Sequence, residues 1–140
     1  MMIVVAIIAI LAAIAIPNFL RQSLRAKQSE ALVLMGAIKT AQYAFSAQNG
    51  CYAPVPATPL GAPLATRRAW VSAPTGFANP CSGAALSFED LALRPTGGSV
   101  YFTYACQAQI IGISGPVGEF TCSAVGDLDG DTQLSEMIYC

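Results

Sequence analysis

Three aspartates at alternate positions, Asp127, Asp129 and Asp131, have a spacing that could support metal chemistry. Carboxylates arranged in this way can converge on a hard cation such as calcium. An EF-hand loop has glycine at its sixth position and glutamate at its twelfth, whereas here Gly130 is fourth and Ile138 is twelfth. The interpretation we favour is a plain Asp129-Gly130 hairpin turn, with a calcium site as the alternative.

No arrangement of residues in the sequence indicates a catalytic site. The chain contains no histidine, which removes the commonest general base and the commonest metal ligand. The adjacent carboxylates Glu89 and Asp90 fit charges at the end of a helical turn better than a catalytic pair. Seven basic and eight acidic residues give a net charge of −1, which is not the basic balance of a nucleic-acid-binding protein. The sequence therefore predicts no catalytic site, no cofactor and no enzyme.

The five cysteines are spread over the second part of the chain without a CxxC spacing, which indicates disulfides in an oxidising compartment. A hairpin centred near residue 114 would place Cys106 opposite Cys122. Cys51 with Cys81 would then clamp the loop between them and leave Cys140. A pairing of Cys51 or Cys81 with Cys140 remains open.

The N-terminal segment is the element on which the rest of the chain, with its aspartates and cysteines, must be positioned. Sixteen uncharged apolar residues precede Pro17. As a helix these 16 residues would be about 24 Å long. A helix that crosses a hydrocarbon core requires about 20 residues, so this run is too short. The pattern after Pro17 is amphipathic, and Asn49-Gly50 is a strong helix end. We predict one helix over residues 1–49, with a hydrophobic half in 1–28 and an amphipathic half in 29–50.

Pro17 lies within this predicted helix. It lacks a backbone N–H and its ring clashes with the preceding turn. We therefore predict a kink or local unwinding within residues 10–17.

For the rest of the chain the sequence predicts a loop region followed by strands. Residues 51–98 contain seven of the nine prolines and predict a variable loop region, with short elements at 67–72 and 86–93. Alternating β-branched and aromatic residues predict strands at 99–109, 119–127 and 132–139, within a sheet region 99–140 that ends in a hairpin. The predicted fold is α+β, a long N-terminal helix packed on a small antiparallel sheet through Leu32, Met35, Ile38 and Phe45.

The N-terminal sequence MIVVAIIAILAAIAIPNF, residues 2–19, and the basic run that follows it to Ala31 closely resemble the start of type IV pilins. Mature subunits of that family begin Phe-Thr-Leu-Ile-Glu, and this pentapeptide is absent here. We expect it to precede Met1, and five more residues would lengthen the apolar run to about 21, enough to span a membrane. The family's N-methylated Phe and its Glu therefore have no counterpart among these residues.

The resemblance implies a subunit that waits in the inner membrane with its globular domain outside the cytoplasm. Assembly machinery then extracts it into a helical filament. A helix that is apolar on all sides must be buried in lipid or among like helices. The residues expected in the filament core are Ile3, Val4, Val5, Ile7, Ile8, Ile10, Leu11, Ile14, Ile16, Pro17 and Phe19.

The function implied is that of a structural subunit of an extracellular type IV pilus used for adhesion, twitching motility or DNA uptake. A type II secretion pseudopilin, which forms a periplasmic fibre, and a membrane-anchored binding domain that does not polymerise are the alternatives. Arg67-Arg68-Ala69-Trp70 could bind DNA or an anionic surface, although a subunit contact or exposed loop is favoured. Tyr43, Phe45 and Tyr52 are expected to pack the helix onto the sheet, with stacking along a fibre as the alternative.

Overall fold

The computed structural model describes residues 2–73, 85–108 and 118–139, and its longest element is helix α1, Met2–Asn49. The 48 residues of α1 confirm the predicted helix, which at 1.5 Å per residue is about 72 Å long. The helix ends where expected, since Gly50 has a positive φ of 72° and its N–H donates to the Ser46 carbonyl at 2.8 Å.

Helix α1 continues through Pro17 without interruption, so the local unwinding predicted within residues 10–17 is not observed, whereas the alternative, a kink, stays a prediction. Proline removes one intrahelical hydrogen bond, and the bonds of the neighbouring residues are enough to keep the helix continuous.

The strands form two sheets within the described ranges. The larger sheet contains β1 (Val55–Thr58), β4 (Thr103–Ala108), β5 (Phe120–Gly126) and β6 (Ser135–Tyr139), in the order β1-β4-β5-β6 with every neighbouring pair antiparallel. The smaller sheet pairs β2 (Arg68–Ala69) with β3 (Ser99–Val100). This arrangement confirms the predicted α+β fold.

Strand β1 was not predicted, because it lies among prolines. Pro54 precedes it, Pro56 is inside it and Pro59 follows it. Strand β1 is at the edge of the sheet, where a residue without an N–H can be tolerated because one side of the strand needs no partner.

The strand predicted over 99–109 is split in two. Its first two residues form β3, which pairs with β2, and the chain enters the larger sheet only at Thr103. Between them the Tyr101 N–H donates to Glu30 Oε1 at 2.8 Å instead of to a strand. The helical turn predicted over 86–93 is likewise a series of turns, in which Ala92 has a φ of 54°.

The predicted two-residue turn at Asp129-Gly130 is wrong, because β5 and β6 pair at Gly126 and Ser135 and a loop of residues 127–134 joins them. We call residues 127–134 the acidic loop. Asp127 Oδ1 accepts the Gly130 N–H at 2.8 Å. Side chains of this type compete with a strand partner for backbone amides, which favours a wider loop.

The core lies between one face of α1 and the larger sheet. Met35, Ile38 and Phe45 are buried as predicted, but Leu32 is 65% exposed and does not belong to that face. Its place is taken by Leu34, which is 7% exposed. From the other side the core is filled by Val55, Leu86, Phe88, Val100, Phe102, Tyr104, Phe120 and Ala124.

The predicted Cys106–Cys122 disulfide is confirmed, and these residues face each other in the register of β4 and β5. Cys51 is also disulfide-bonded. Cys81 and Cys140 lie outside the described residues, so the Cys51–Cys81 pair stays a prediction.

Candidate assembly surface

The N-terminal half of α1 extends beyond the folded domain and exposes its apolar side chains on every side. Ile3 is 77% exposed and Phe19 is 72% exposed. The structure places all the residues predicted for a filament core on this exposed surface: Ile3, Val4, Val5, Ile7, Ile8, Ile10, Leu11, Ile14, Ile16, Pro17 and Phe19.

This segment meets the length and composition of a membrane-crossing helix. None of its most apolar stretch of 18 residues is buried within the protein. A helix with apolar groups on all sides requires a nonaqueous environment, either lipid or other apolar helices. The surface can therefore either enter a membrane or pack against copies of itself.

The amphipathic half continues this surface on the side of α1 that faces away from the sheet. Leu32 and Val33 are 65% and 75% exposed, and Gly36 lies exposed beside them. Residues 29–49 contain two charged side chains, Glu30 and Lys39, and both are engaged within the domain. The outward side of α1 is thus uncharged over about five turns.

Lys39 is held by aromatic residues at the margin of this side. Its Nζ donates to the Tyr139 hydroxyl at 2.8 Å and lies 5.8 Å from the centre of the Tyr43 ring. The hydrogen bond with Tyr139 raises the pKa of Lys39, so this side chain is charged at any physiological pH.

Aromatic rings attach the end of α1 to the sheet. Tyr43 and Tyr52 contact Phe120, with ring centres at 5.7 and 4.6 Å. Phe45 is buried in the core. These contacts match the expectation that the aromatic residues pack the helix onto the sheet.

A groove of about 620 Å³ runs between α1 and the segment that leads into β3, and we call it the cationic groove. Lys27, Arg67 and Arg94 line it, together with Glu30 and Tyr101. Arg67 Nη2 donates to Glu30 Oε2 at 2.7 Å, and this hydrogen bond raises the pKa of Arg67. Lys27 and Arg67 also lie 5.1 and 5.2 Å from the centre of the Tyr101 ring.

The three aspartates of the calcium hypothesis do come together, with ligand oxygens within 4.8 Å of one another. Asp127 is buried, whereas Asp129 and Asp131 are exposed. Asp131 Oδ1 accepts the Gln133 N–H at 2.8 Å, as Asp127 accepts that of Gly130. These bonds shape the acidic loop, and we base no metal site on the cluster.

The remaining candidate residues have roles within the fold. Arg68 donates to the Gly61 carbonyl at 3.1 Å and to the Thr103 hydroxyl, and its burial lowers its pKa. Trp70 packs on Phe88, with ring centres 5.2 Å apart. These contacts leave Arg68 little freedom to bind DNA.

The carboxylates of the predicted Glu89-Asp90 pair are directed to different partners. Glu89 Oε1 pairs with Arg94 Nη2 at 2.7 Å. Asp90 Oδ2 accepts the Ser87 N–H at 2.8 Å and the Ser87 hydroxyl at 2.9 Å. Both contacts stabilise the turns between residues 87 and 94.

Comparison with known proteins gives one informative relative. Over 52 residues the chain is 56% identical to a protein named type IV major pilin protein PilA from Myxococcus xanthus (strain DK1622). The aligned stretch covers 37% of this chain and 24% of the relative, so the chain spans about a quarter of that protein's length. No protein-family model and no solved structure matches the chain. The resemblance to type IV pilins is confirmed over the aligned stretch, and the long apolar N-terminal helix fits it.

Proposed function

We propose that this chain is a structural subunit of a type IV pilus that polymerises through α1. The observation that carries the proposal is the exposed apolar half of α1, which is continuous with a folded domain crosslinked by a disulfide. The match to a major pilin also supports the role of a pilin subunit.

Assembly in this proposal is an exchange of one apolar environment for another. Before assembly the exposed apolar residues of α1 lie in lipid, and afterwards they form the filament core against the same residues of neighbouring copies. Alanines at Ala6, Ala9, Ala12, Ala13 and Ala15 leave room for the close approach of helices. Since both environments are apolar, the transfer has a small net free energy.

The disulfide supports a position of the domain on the non-cytoplasmic side of the membrane. Disulfides persist in oxidising compartments, so the domain with Cys106–Cys122 belongs outside the cytoplasm. Arg21, Arg25 and Lys27 would by themselves favour a cytoplasmic position, since positive charges are retained there. We propose that the subunit starts in the inner membrane with its domain outside and ends in a surface filament, with roles in adhesion, twitching motility or DNA uptake.

The first experiment is intact-mass and N-terminal peptide analysis of filaments sheared from cells. We expect this chain to be the dominant species of the sheared fraction. A chain found in membranes and absent from sheared fibres would contradict the proposal, and would favour a pseudopilin or an anchored domain that does not polymerise.

A substitution in α1 tests the proposed core directly. Ala9→Leu keeps the helix apolar but prevents close approach, so we expect normal membrane insertion and loss of sheared filaments. Ile14→Leu, which conserves volume, is the matched control and should assemble normally.

A further inference from the structure

The cationic groove has two arginines with unused capacity. The Arg94 side chain is 75% exposed and that of Arg67 is 47% exposed. Each guanidinium carries five N–H donors, more than its observed ion pair occupies. Both oxygens of Glu30, the carboxylate in the groove wall, already accept bonds from Arg67 and from the Tyr101 N–H. Three cations, Lys27, Arg67 and Arg94, face two paired carboxylates, Glu30 and Glu89, so the groove keeps one net positive charge that an acidic partner could use.

The acidic loop carries negative charge, which is complementary to the positive charge of the groove. Asp129 and Asp131 are exposed, and the loop that carries them is held in shape by its own contacts. Lys27 Nζ donates to the Leu128 carbonyl at 2.7 Å, and the Asp131 carboxylate accepts the Gln133 N–H. A loop that is already ordered loses little conformational entropy when it binds.

These two surfaces open on different flanks of the same helix, with Lys27 between them. Lys27 lines the groove, and its Nζ donates to the Leu128 carbonyl of the acidic loop at 2.7 Å. Leu24 and Gln28 of α1 face the acidic loop, whereas Ala26 and Glu30 line the cationic groove. Positions two residues apart on an α-helix are separated by about 200°. Asp129 and Asp131 lie on the side of the loop next to Leu24 and Gln28 and do not line the groove, so these exposed carboxylates are accessible to a neighbouring molecule.

We propose that the acidic loop of one copy docks in the cationic groove of the next copy in the filament. This inference rests on the proposed function and specifies a contact that would set subunit order. Two different complementary patches on one chain make a heterologous contact, which propagates into an open helical assembly instead of closing as a dimer. Charges of opposite sign also steer the approach of one copy to the next and fix their register.

An anionic lipid surface is the other partner that a cationic groove could take. The acidic loop contacts the same turn of α1 through Lys27 and would be repelled by such a surface. A contact between two copies uses the acidic loop of one and the cationic groove of the other. For this reason we favour a second copy over a lipid surface as the partner.

Charge reversal tests the contact in cells that assemble the full chain. We expect Arg94→Glu, and separately the double variant Asp129→Lys/Asp131→Lys, to lower the sheared fraction relative to the membrane fraction by at least about tenfold, since like charges then oppose each other. The combined triple variant should recover most of the assembly. Glu119→Lys, an exposed acidic position outside the acidic loop, is the matched control and should assemble normally. Retention of the Cys106–Cys122 disulfide in each variant confirms folding.

Crosslinking tests proximity without changing any charge. In the variant Thr96→Cys/Gln133→Cys one new thiol lies in the groove wall and the other in the acidic loop. We expect oxidised sheared filaments to give a ladder of crosslinked oligomers on non-reducing gels, since a disulfide forms only when the two Cα atoms are within about 7 Å. Thr96→Cys/Thr121→Cys, with its second thiol exposed on β5, should give no ladder.

The outcomes separate this inference from the proposed function. Wild-type filaments, no recovery in the triple variant and no ladder would overturn the inference while the pilus proposal stands. Loss of binding to anionic vesicles by Arg94→Glu, together with no recovery by the triple variant, would also overturn it in favour of a lipid partner. Failure of the wild-type chain to appear in sheared filaments would overturn the proposed function itself.

Discussion

The side chain of Gln42 and the backbone of Ala53 exchange two hydrogen bonds. Gln42 Nε2 donates to the Ala53 carbonyl at 2.8 Å, and the Ala53 N–H donates to Gln42 Oε1 at 2.9 Å. Both residues are 0% exposed. The contact joins the last turns of α1 to the segment that enters β1, so it fixes the direction in which the chain leaves the helix that carries the assembly surface.

Replacing Gln42 by leucine should destabilise the domain strongly. The Ala53 N–H and carbonyl would remain buried without partners, at a cost of about 3 kcal/mol in the free energy of unfolding. Urea unfolding of the detergent-solubilised chain, followed by circular dichroism, measures this. The exposed Gln48→Leu serves as control, and equal stability of the two variants would show that the paired bonds contribute little.

Two glycines should respond to alanine with opposite signs. A Cβ at Gly126 would lie 2.7 Å from a ring carbon of the buried Phe102, so Gly126→Ala should lower the free energy of unfolding by about 1–3 kcal/mol. A Cβ at Gly36, inside α1, meets nothing within 4 Å, so Gly36→Ala should stabilise the isolated chain by about 1 kcal/mol. Thermal unfolding of both variants checks the pair, and a gain of stability in Gly126→Ala would refute the packing argument.

Tyr104 should make the domain sensitive to alkali. Its burial, assisted by the charge of Glu30, raises the pKa of its phenol well above the ordinary value of 10.0. Below that value the phenol is protonated in both the folded and unfolded states. At higher pH the unfolded chain releases the proton while the folded chain retains it, so the free energy of unfolding falls as the pH rises.

Tyr104→Phe removes this titration and should lose less stability in alkali than the wild type. At neutral pH it should be at least as stable, because the hydroxyl is buried and has no hydrogen-bond partner within the part of the chain that the structure describes. Urea unfolding measured from neutral pH to above 10.0 gives both comparisons. Parallel pH profiles for the two proteins would exclude Tyr104 as the source.

Removing the Cys106–Cys122 disulfide should weaken the sheet. The crosslink closes a loop with a sequence separation of 16, for which a loss of about 3 kcal/mol is expected when both residues become serine. Thermal unfolding of Cys106→Ser/Cys122→Ser against the wild type measures the loss. A variant as stable as the wild type would show that strand pairing alone holds β4 and β5 in register.

Peptide mapping under non-reducing conditions tests the second disulfide. We expect a linked peptide that contains Cys51 and Cys81, which would clamp the proline-rich region. A linked peptide of Cys51 with Cys140 would contradict this prediction. The Cys106–Cys122 peptide in the same digest is the internal control.

Local patterns in the sequence were enough to predict α1 and the Cys106–Cys122 pair. An unbroken apolar run followed by helical periodicity determines a helix from neighbouring residues alone, and Asn49-Gly50 ends it without help from the fold. The disulfide followed from the length of one hairpin, because antiparallel register depends on the residues between two strands.

Tertiary contacts decided the features that depend on distant residues. Leu32 and Leu34 suit a helical pattern equally well, and the position of the sheet determines that Leu34 is buried and Leu32 exposed. The split between β3 and β4 depends on Glu30, which accepts the Tyr101 N–H across 71 residues. A partner at that distance leaves no periodic signal in the sequence. For the same reason the cationic groove and the acidic loop become visible only in the folded chain, where Lys27 of α1 lies between them.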